Sequence, residues 1–154
     1  MKLKLISRAF TCALLFLSAN LWAQKSKAAA VDKKIANAAL SHAATLLTQN
    51  TKDKTAQVLM NLASAVLPND DDVVYIIAML GKGTKPDELK NKMPLNKLIR
   101  LMLKQADELY ITSKKSNIKT GELSHYYFRV LEVLKPKDPA VIVGLFKHGA
   151  SGRN

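Results

Sequence analysis

Residues 62–73 read LASAVLPNDDDV, and residues 130–141 read VLEVLKPKDPAV. When the two stretches are aligned, they share a proline, an aspartate and a valine, and each is followed by a glycine at the same distance. Their separation is twice the period of about 34 residues that is expected when helical hairpins are stacked. This recurrence indicates an internal repeat built from helices. The identical pairs are Pro68/Pro136, Asp70/Asp138, Val73/Val141 and Gly81/Gly149.

The apolar residues on both sides of these stretches also fall at helical spacing, and an alternation of period two is nowhere sustained. Aspartates before the apolar runs predict N-caps, and prolines after them predict helix ends. A polar loop is predicted at Lys114–Thr120. The predicted helices run from Asp32 to about Thr48, Asp53 to Pro68, Asp71 to Leu80, Pro94 onward, Leu123 to Pro136 and Asp138 to about His148.

The first 23 residues are typical of a bacterial signal peptide. Lys2, Lys4 and Arg8 precede an apolar stretch that ends in small residues at Ala23. The stretch is shorter than the roughly 20 residues that a membrane-spanning helix needs, so an uncleaved anchor is the less favoured alternative. We therefore expect export to the periplasm or beyond, with Gln24 as the first residue after cleavage.

Composition supports one helical domain in the exported part. Hydrophobic residues make up 48% of the 154, which is enough to build a core. The single cysteine lies in the expected signal peptide, so no disulfide framework and no cysteine-based zinc site is expected. The predicted organisation is a signal peptide at 1–23, a flexible lead-in at 24–30, one domain at 31–149 with an irregular insertion near 81–94, and a frayed tail at 150–154.

The recurring segments resemble the tetratricopeptide repeat family, whose second helix carries small residues around a larger one and then a proline. These places are taken by Ala56, Met60, Ala63 and Pro68, and again by Ser124, Phe128, Leu131 and Pro136. The sequence departs from the family pattern at Gly81 and Gly149, where a large aromatic residue is usual, and at Leu131, where alanine is usual. The resemblance implies antiparallel hairpins stacked as a short solenoid. A compact helical bundle would show the same apolar stripes and is the alternative.

The resemblance also implies a function, which is the binding of another protein or peptide on the concave face of the stacked first helices. Because the chain has two or fewer full repeats, a homodimer is also possible. The residues that the family pattern places on this face are Ser41, Thr45, Gln49, Tyr75, Met79, Val143 and Lys147.

Motifs for catalysis or for a cofactor are lacking in the sequence, and we expect neither. His42, His125 and His148 have no histidine or cysteine three or four residues away, which argues against a local metal site. The segment Gly81-Lys82-Gly83-Thr84 lacks the earlier glycine of a phosphate-binding loop and is predicted to end a helix. A hydrolase is the least favoured of three hypotheses.

The basic surplus suggests a second binding hypothesis. Lys and Arg number 24 against 12 Asp and Glu, and seven of them crowd a short segment after the third predicted helix. Such a segment would attract an anionic envelope polymer or lipid headgroups in a salt-sensitive manner. Nucleic acid is not expected, because aromatic residues are not interleaved with the basic ones and the chain is expected to be exported. The candidate anion-binding residues are Lys82, Lys85, Lys90, Lys92, Lys97, Arg100 and Lys104.

Overall fold

A computed structural model of the protein describes residues 29–85, 89, 93–116 and 118–149, apart from the side chains of 114–116, 118–120, 148 and 149. The chain divides into two compact units, Met1–Lys33 and Lys34–Asn154. In the first unit only residues 29–33 are described, and they are helical. The expected signal peptide, most of the expected lead-in and the expected tail lie outside the described residues.

Six helices and no strand are found in the described part of the chain, so the all-α prediction is confirmed. Helix α1 is already formed at residue 29 and continues to residue 49. The other helices are α2 (Lys54–Val66), α3 (Asp71–Gly81), α4 (Leu95–Ser116), α5 (Ile118–Leu134) and α6 (Pro139–Gly149).

Aspartate side chains cap three of these helices, as predicted. Asp53 Oδ1 accepts a hydrogen bond from the Ala56 amide at 2.8 Å, at the start of α2. Asp70 Oδ1 accepts one from the Val73 amide at 3.1 Å, at the start of α3. Asp138 precedes Pro139, the first residue of α6, and its Oδ1 accepts from the Ala140 amide at 2.9 Å. The carboxylates thus satisfy amides that have no partner within the helix.

The first helix begins earlier than predicted. Residues 29 and 30 are helical, so Asp32 lies inside α1 and not at its N-cap. Alanine is the strongest helix former, and Ala29 and Ala30 extend the helix upstream of the aspartate.

The predicted loop at Lys114–Thr120 is wrong. Helix α4 continues to Ser116, and α5 is already helical at Ile118. Lysine, serine and threonine lower helix stability only slightly, so this polar stretch holds no residue that must end a helix. Gly121 lies inside α5, and a Cβ added there would lie 3.3 Å from the Cβ of Ser113. This glycine therefore permits a close approach to α4.

Among helices α2–α6, α5 has the largest number of packed neighbours. It packs most extensively on α4 and also contacts α2 and α6. Tyr127 and Phe128 are its largest buried side chains. Ser124 is buried beside them, and its hydroxyl donates a hydrogen bond to the Ala106 carbonyl of α4 at 2.6 Å. Helix α3 packs on α2, and α6 packs on both α5 and α4.

The turns α2–α3 and α5–α6 have the same backbone hydrogen bonds at the positions that the sequence repeat aligns. In both, the residue before the proline donates to the carbonyl four residues upstream, and the capping aspartate closes the turn. In the turn α2–α3 the amide-to-carbonyl bonds are Leu67 to Ala63, Asp70 to Leu67 and Val74 to Asp70. The matching bonds in the turn α5–α6 are Lys135 to Leu131, Asp138 to Lys135 and Ile142 to Asp138.

Burial follows the same alignment. Each buried position of α2, up to residue 63, has a buried counterpart in α5, although the side chains differ. The sequence repeat therefore relates two helix–turn–helix segments that are built alike. The buried pairs are Ala56/Ser124, Leu59/Tyr127, Met60/Phe128, Leu62/Val130, Ala63/Leu131 and, in α3 and α6, Val73/Val141.

Candidate binding surface

The residues predicted to bind a partner lie on three helices. On α1, Thr45 and Gln49 are exposed and Ser41 is half-buried. The Thr45 hydroxyl donates to the Ser41 carbonyl at 3.1 Å, so it is engaged within its own helix. On α3, Tyr75 is exposed and Met79 is half-buried, and on α6 both Val143 and Lys147 are exposed.

Within each helix these residues lie four apart and therefore share one side. Among helices α2–α6, however, α3 packs on α2, whereas α6 packs on α5 and α4. Ala44, Leu47 and Thr48 of α1 line one cavity with Leu80 and Gly81 of α3, so the C-terminal ends of these two helices lie close together. The α6 set lies on a helix whose contacts among α2–α6 are with α5 and α4.

Helix α6 presents an apolar surface, of which the family pattern predicts only Val143. Phe146 is 76% exposed, and Ile142 and Val143 are 41% and 50% exposed. They occupy positions i, i+1 and i+4, so they lie side by side on the helix. We call these three residues, with Lys147 beside them, the α6 face.

Helix α6 is oriented by Gly144. A Cβ added at position 144 would overlap with three ring carbons of Phe128 on α5. Because the helix must approach α5 at this point, the buried side of α6 carries Val141 and Gly144, and Phe146 turns outward. Phenylalanine within an apolar helix is usually buried, so the sequence alone favours the core for Phe146.

Basic residues border the α6 face at both ends. Lys135 and Lys137 are exposed in the turn before the helix, and Lys147 is exposed near its end. The carboxylate of Asp138, which lies between them, is hydrogen-bonded to the helix N-terminus. With three lysines and one carboxylate, the rim carries a net positive charge.

Helix α3 carries a corresponding surface with different charges. Val74 and Tyr75 are 57% and 53% exposed, and Ala78 is exposed one turn later. Asp71 precedes them on the same side of the helix, and Lys82 follows them; both are exposed. We call these five residues the α3 face.

All of the predicted anion-binding residues that the structure describes are exposed. Lys97, Arg100 and Lys104 lie at i, i+3 and i+7 on α4 and form one row, which we call the α4 basic row. Lys104 Nζ lies 3.8 Å from Glu108 Oε1 in an exposed pair, which leaves its charge accessible to an anion. Lys82 and Lys85 are exposed after α3, and Lys90 and Lys92 lie outside the described residues.

The glycine-containing segment after α3 ends the helix, as predicted. The amides of Lys82, Gly83 and Thr84 donate to the carbonyls of Ala78, Leu80 and Met79, respectively. Gly83 has a φ of 76°, the left-handed conformation that glycine adopts readily. Amides that close a helix in this way are not available to cradle a phosphate.

A metal site requires several titratable residues in a particular arrangement. No group of three or more His, Cys, Asp or Glu that could hold a metal ion is found among the described residues. His42 Nε2 lies 2.9 Å from the Met93 carbonyl and links α1 to the segment before α4. Tyr126 is half-buried, and burial raises the pKa of its hydroxyl above the ordinary value of 10.0.

No helix in the described part of the chain is long and apolar enough to cross a membrane. A comparison of the chain with models of known families, with curated proteins and with solved structures finds no match.

Proposed function

We propose that this protein is an exported, non-enzymatic, tetratricopeptide-like module that binds another protein. The α6 face is the observation that carries the proposal, because three large apolar side chains lie exposed together at the end of a packed array of helices. Exposed apolar patches with a polar rim are typical of protein-interaction sites.

The charge of the rim suggests the chemistry of the partner. Lys135 and Lys137 lie at one end of an apolar strip that is one helix wide, and Lys147 lies at the other. A complementary ligand is an amphipathic helix that places apolar residues on the strip and acidic residues against the lysines. We therefore propose an acidic amphipathic segment as the ligand.

The likeness of the turns α2–α3 and α5–α6 supports the repeat-protein part of the proposal. The two segments are separated by twice the period of stacked helical hairpins and share three backbone hydrogen bonds. In a stacked array of repeats, the last helix lacks a following neighbour, so its outer side is exposed. Helix α6 occupies this terminal position in the described chain.

Affinity purification from the envelope of the protein's own cells tests the proposal. Wild-type chain is compared with Phe146→Ser and with the control Ile111→Ser, which also removes an exposed large apolar side chain. We expect one protein to be recovered by wild type and control at about 50 mM and at about 200 mM salt, and to be lost with Phe146→Ser. Equal recovery by all three chains would contradict the proposal.

The α4 basic row favours a second candidate function, which is the binding of anionic polymer or lipid headgroups. Lys97, Arg100 and Lys104 project from one side of α4 and are exposed. The triple variant Lys97→Glu, Arg100→Glu, Lys104→Glu should lose binding to anionic vesicles, and raised salt should have the same effect on wild type. If wild type binds anionic and zwitterionic vesicles equally, this second candidate is rejected.

A further inference from the structure

We propose that the α3 face binds a second copy of this chain through two-fold antiparallel pairing of α3 with α3. The proposal is independent of the α6 face and concerns the side of α3 that lies opposite its buried residues Val73, Ile76 and Leu80.

The α3 face is self-complementary in charge. Asp71 lies at the N-terminal end of the strip, and Lys82 lies at its C-terminal end. In an antiparallel pair, position 71 of one helix meets position 82 of the other, and two-fold symmetry forms this contact twice. Each contact joins a carboxylate to an ammonium group, and the antiparallel arrangement also opposes the two helix dipoles.

The α3 face is also self-complementary in size. The same antiparallel register places Tyr75 opposite Ala78 of the second copy, and again this contact forms twice. Both positions are exposed. The small alanine leaves room for the tyrosine ring, and Val74 lies next to this contact near the two-fold axis. Large side chains opposite small ones permit close packing of two helices.

The α6 face does not have this property. Lysines stand at both ends of its rim, with Lys135 and Lys137 before the helix and Lys147 near its end, and the one carboxylate among them, Asp138, is hydrogen-bonded to the Ala140 amide. Antiparallel pairing of α6 with a second α6 would therefore bring like charges together. Charge complementarity thus selects α3 for self-association and leaves α6 for a different, acidic partner.

One helix side is a small interface, and interfaces below about 1,200 Å² are typically weak and transient. Sedimentation velocity over a concentration series is therefore the appropriate measurement, with the chain purified from its own cells. We expect a monomer–dimer equilibrium with a Kd on the order of 100 μM. High salt should raise this Kd, because it screens the contacts between Asp71 and Lys82.

Charge reversal provides the decisive variants. Asp71→Lys alone and Lys82→Asp alone should each weaken the dimer by about ten-fold or more, because each places like charges together at both symmetric contacts. The double variant Asp71→Lys, Lys82→Asp should restore the wild-type Kd. The double variant places a lysine at the N-terminus of α3 and an aspartate at its C-terminus, and each is unfavourable with the helix dipole. Among wild type and these three variants, the double variant should therefore have the lowest free energy of unfolding, although it dimerises again.

The double variant thereby distinguishes an effect on the interface from an effect on the stability of the fold. Tyr75→Ser should also abolish the dimer. Asp107→Lys, a matched charge reversal at an exposed position of α4, should leave it intact. A chain that stays monomeric at about 1 mM would overturn the proposal. So would a dimer that persists in both single variants, or one that the double variant fails to restore.

Discussion

Gly144 of α6 lies directly against the ring of Phe128 on α5, in a space that a methyl group could not share. At the corresponding positions of the first segment, Ile76 and Met60 are both buried. The second segment thus combines a larger side chain on α5 with the smallest residue on α6. This exchange of volume keeps α6 close to α5 and leaves Phe146 on the outside.

We expect Gly144→Ala to destabilise the protein. The added Cβ overlaps with ring carbons of a buried phenylalanine, and overpacking of this kind costs about 1–3 kcal/mol. The free energy of unfolding in urea measures the effect. Gly81→Ala is the matched control, because nothing lies within 4 Å of its added Cβ, and it should leave stability unchanged or slightly raised. Equal effects of the two substitutions would contradict the close approach of α6 to α5.

Gly83→Ala should be unfavourable for a different reason. Its added Cβ also meets nothing within 4 Å, but its φ is 76°. An L side chain is strained in this conformation, at a cost of about 1 kcal/mol. The difference between the unfolding free energies of Gly83→Ala and Gly81→Ala measures the cost of placing a side chain on the left-handed backbone at position 83. If the two variants are equally stable, the left-handed helix end is not present in solution.

The N-caps of α3 and α6 should contribute similarly to stability. Asp70→Ala and Asp138→Ala each remove a side-chain acceptor from a helix N-terminus, at a cost of about 1 kcal/mol. The asparagine variants keep an acceptor and should retain most of that stability. Thermal melts followed by far-ultraviolet circular dichroism test this prediction, which fails if the alanine and asparagine variants melt at the same temperature.

Stability should decline in alkaline solution because of Tyr126. Burial raises the pKa of its hydroxyl above 10.0, so the unfolded chain loses this proton at a lower pH than the folded chain. At a pH below the pKa that Tyr126 has in the unfolded chain, the residue adds no pH dependence to the stability. Between that pKa and the higher pKa of the folded chain, the stability falls as the pH rises. The urea midpoint should therefore fall less between about pH 9 and about pH 11 in Tyr126→Phe than in wild type. Identical slopes would show that Tyr126 is as accessible when folded as when unfolded.

Local signals made several helix boundaries predictable. Asp53, Asp70 and Asp138 cap the helices that their positions indicated, since capping depends on a few neighbouring residues. The predicted loop at Lys114–Thr120 failed because polarity alone does not end a helix. Whether this stretch is helical depends on the packing of α4 and α5 near Gly121, which the local sequence does not reveal.

The candidate surface was less predictable than the helices. The family resemblance predicts Val143 and Lys147 on this surface, but it does not predict Phe146. Its exposure depends on which side of α6 contacts α5, and that choice follows from the fit of Gly144 to Phe128. These two residues lie on different helices, so no periodicity within α6 encodes their contact.

Photo-crosslinking from the α6 face tests the central claim most directly. A photoreactive phenylalanine analogue is placed at position 146 in the protein's own cells, and at position 61 as a control, because Asn61 is exposed on α2. The proposed function predicts one discrete adduct with another protein from position 146, formed at both low and high salt, and none from position 61. No adduct from position 146, or the same adducts from both positions, would contradict a binding surface on α6.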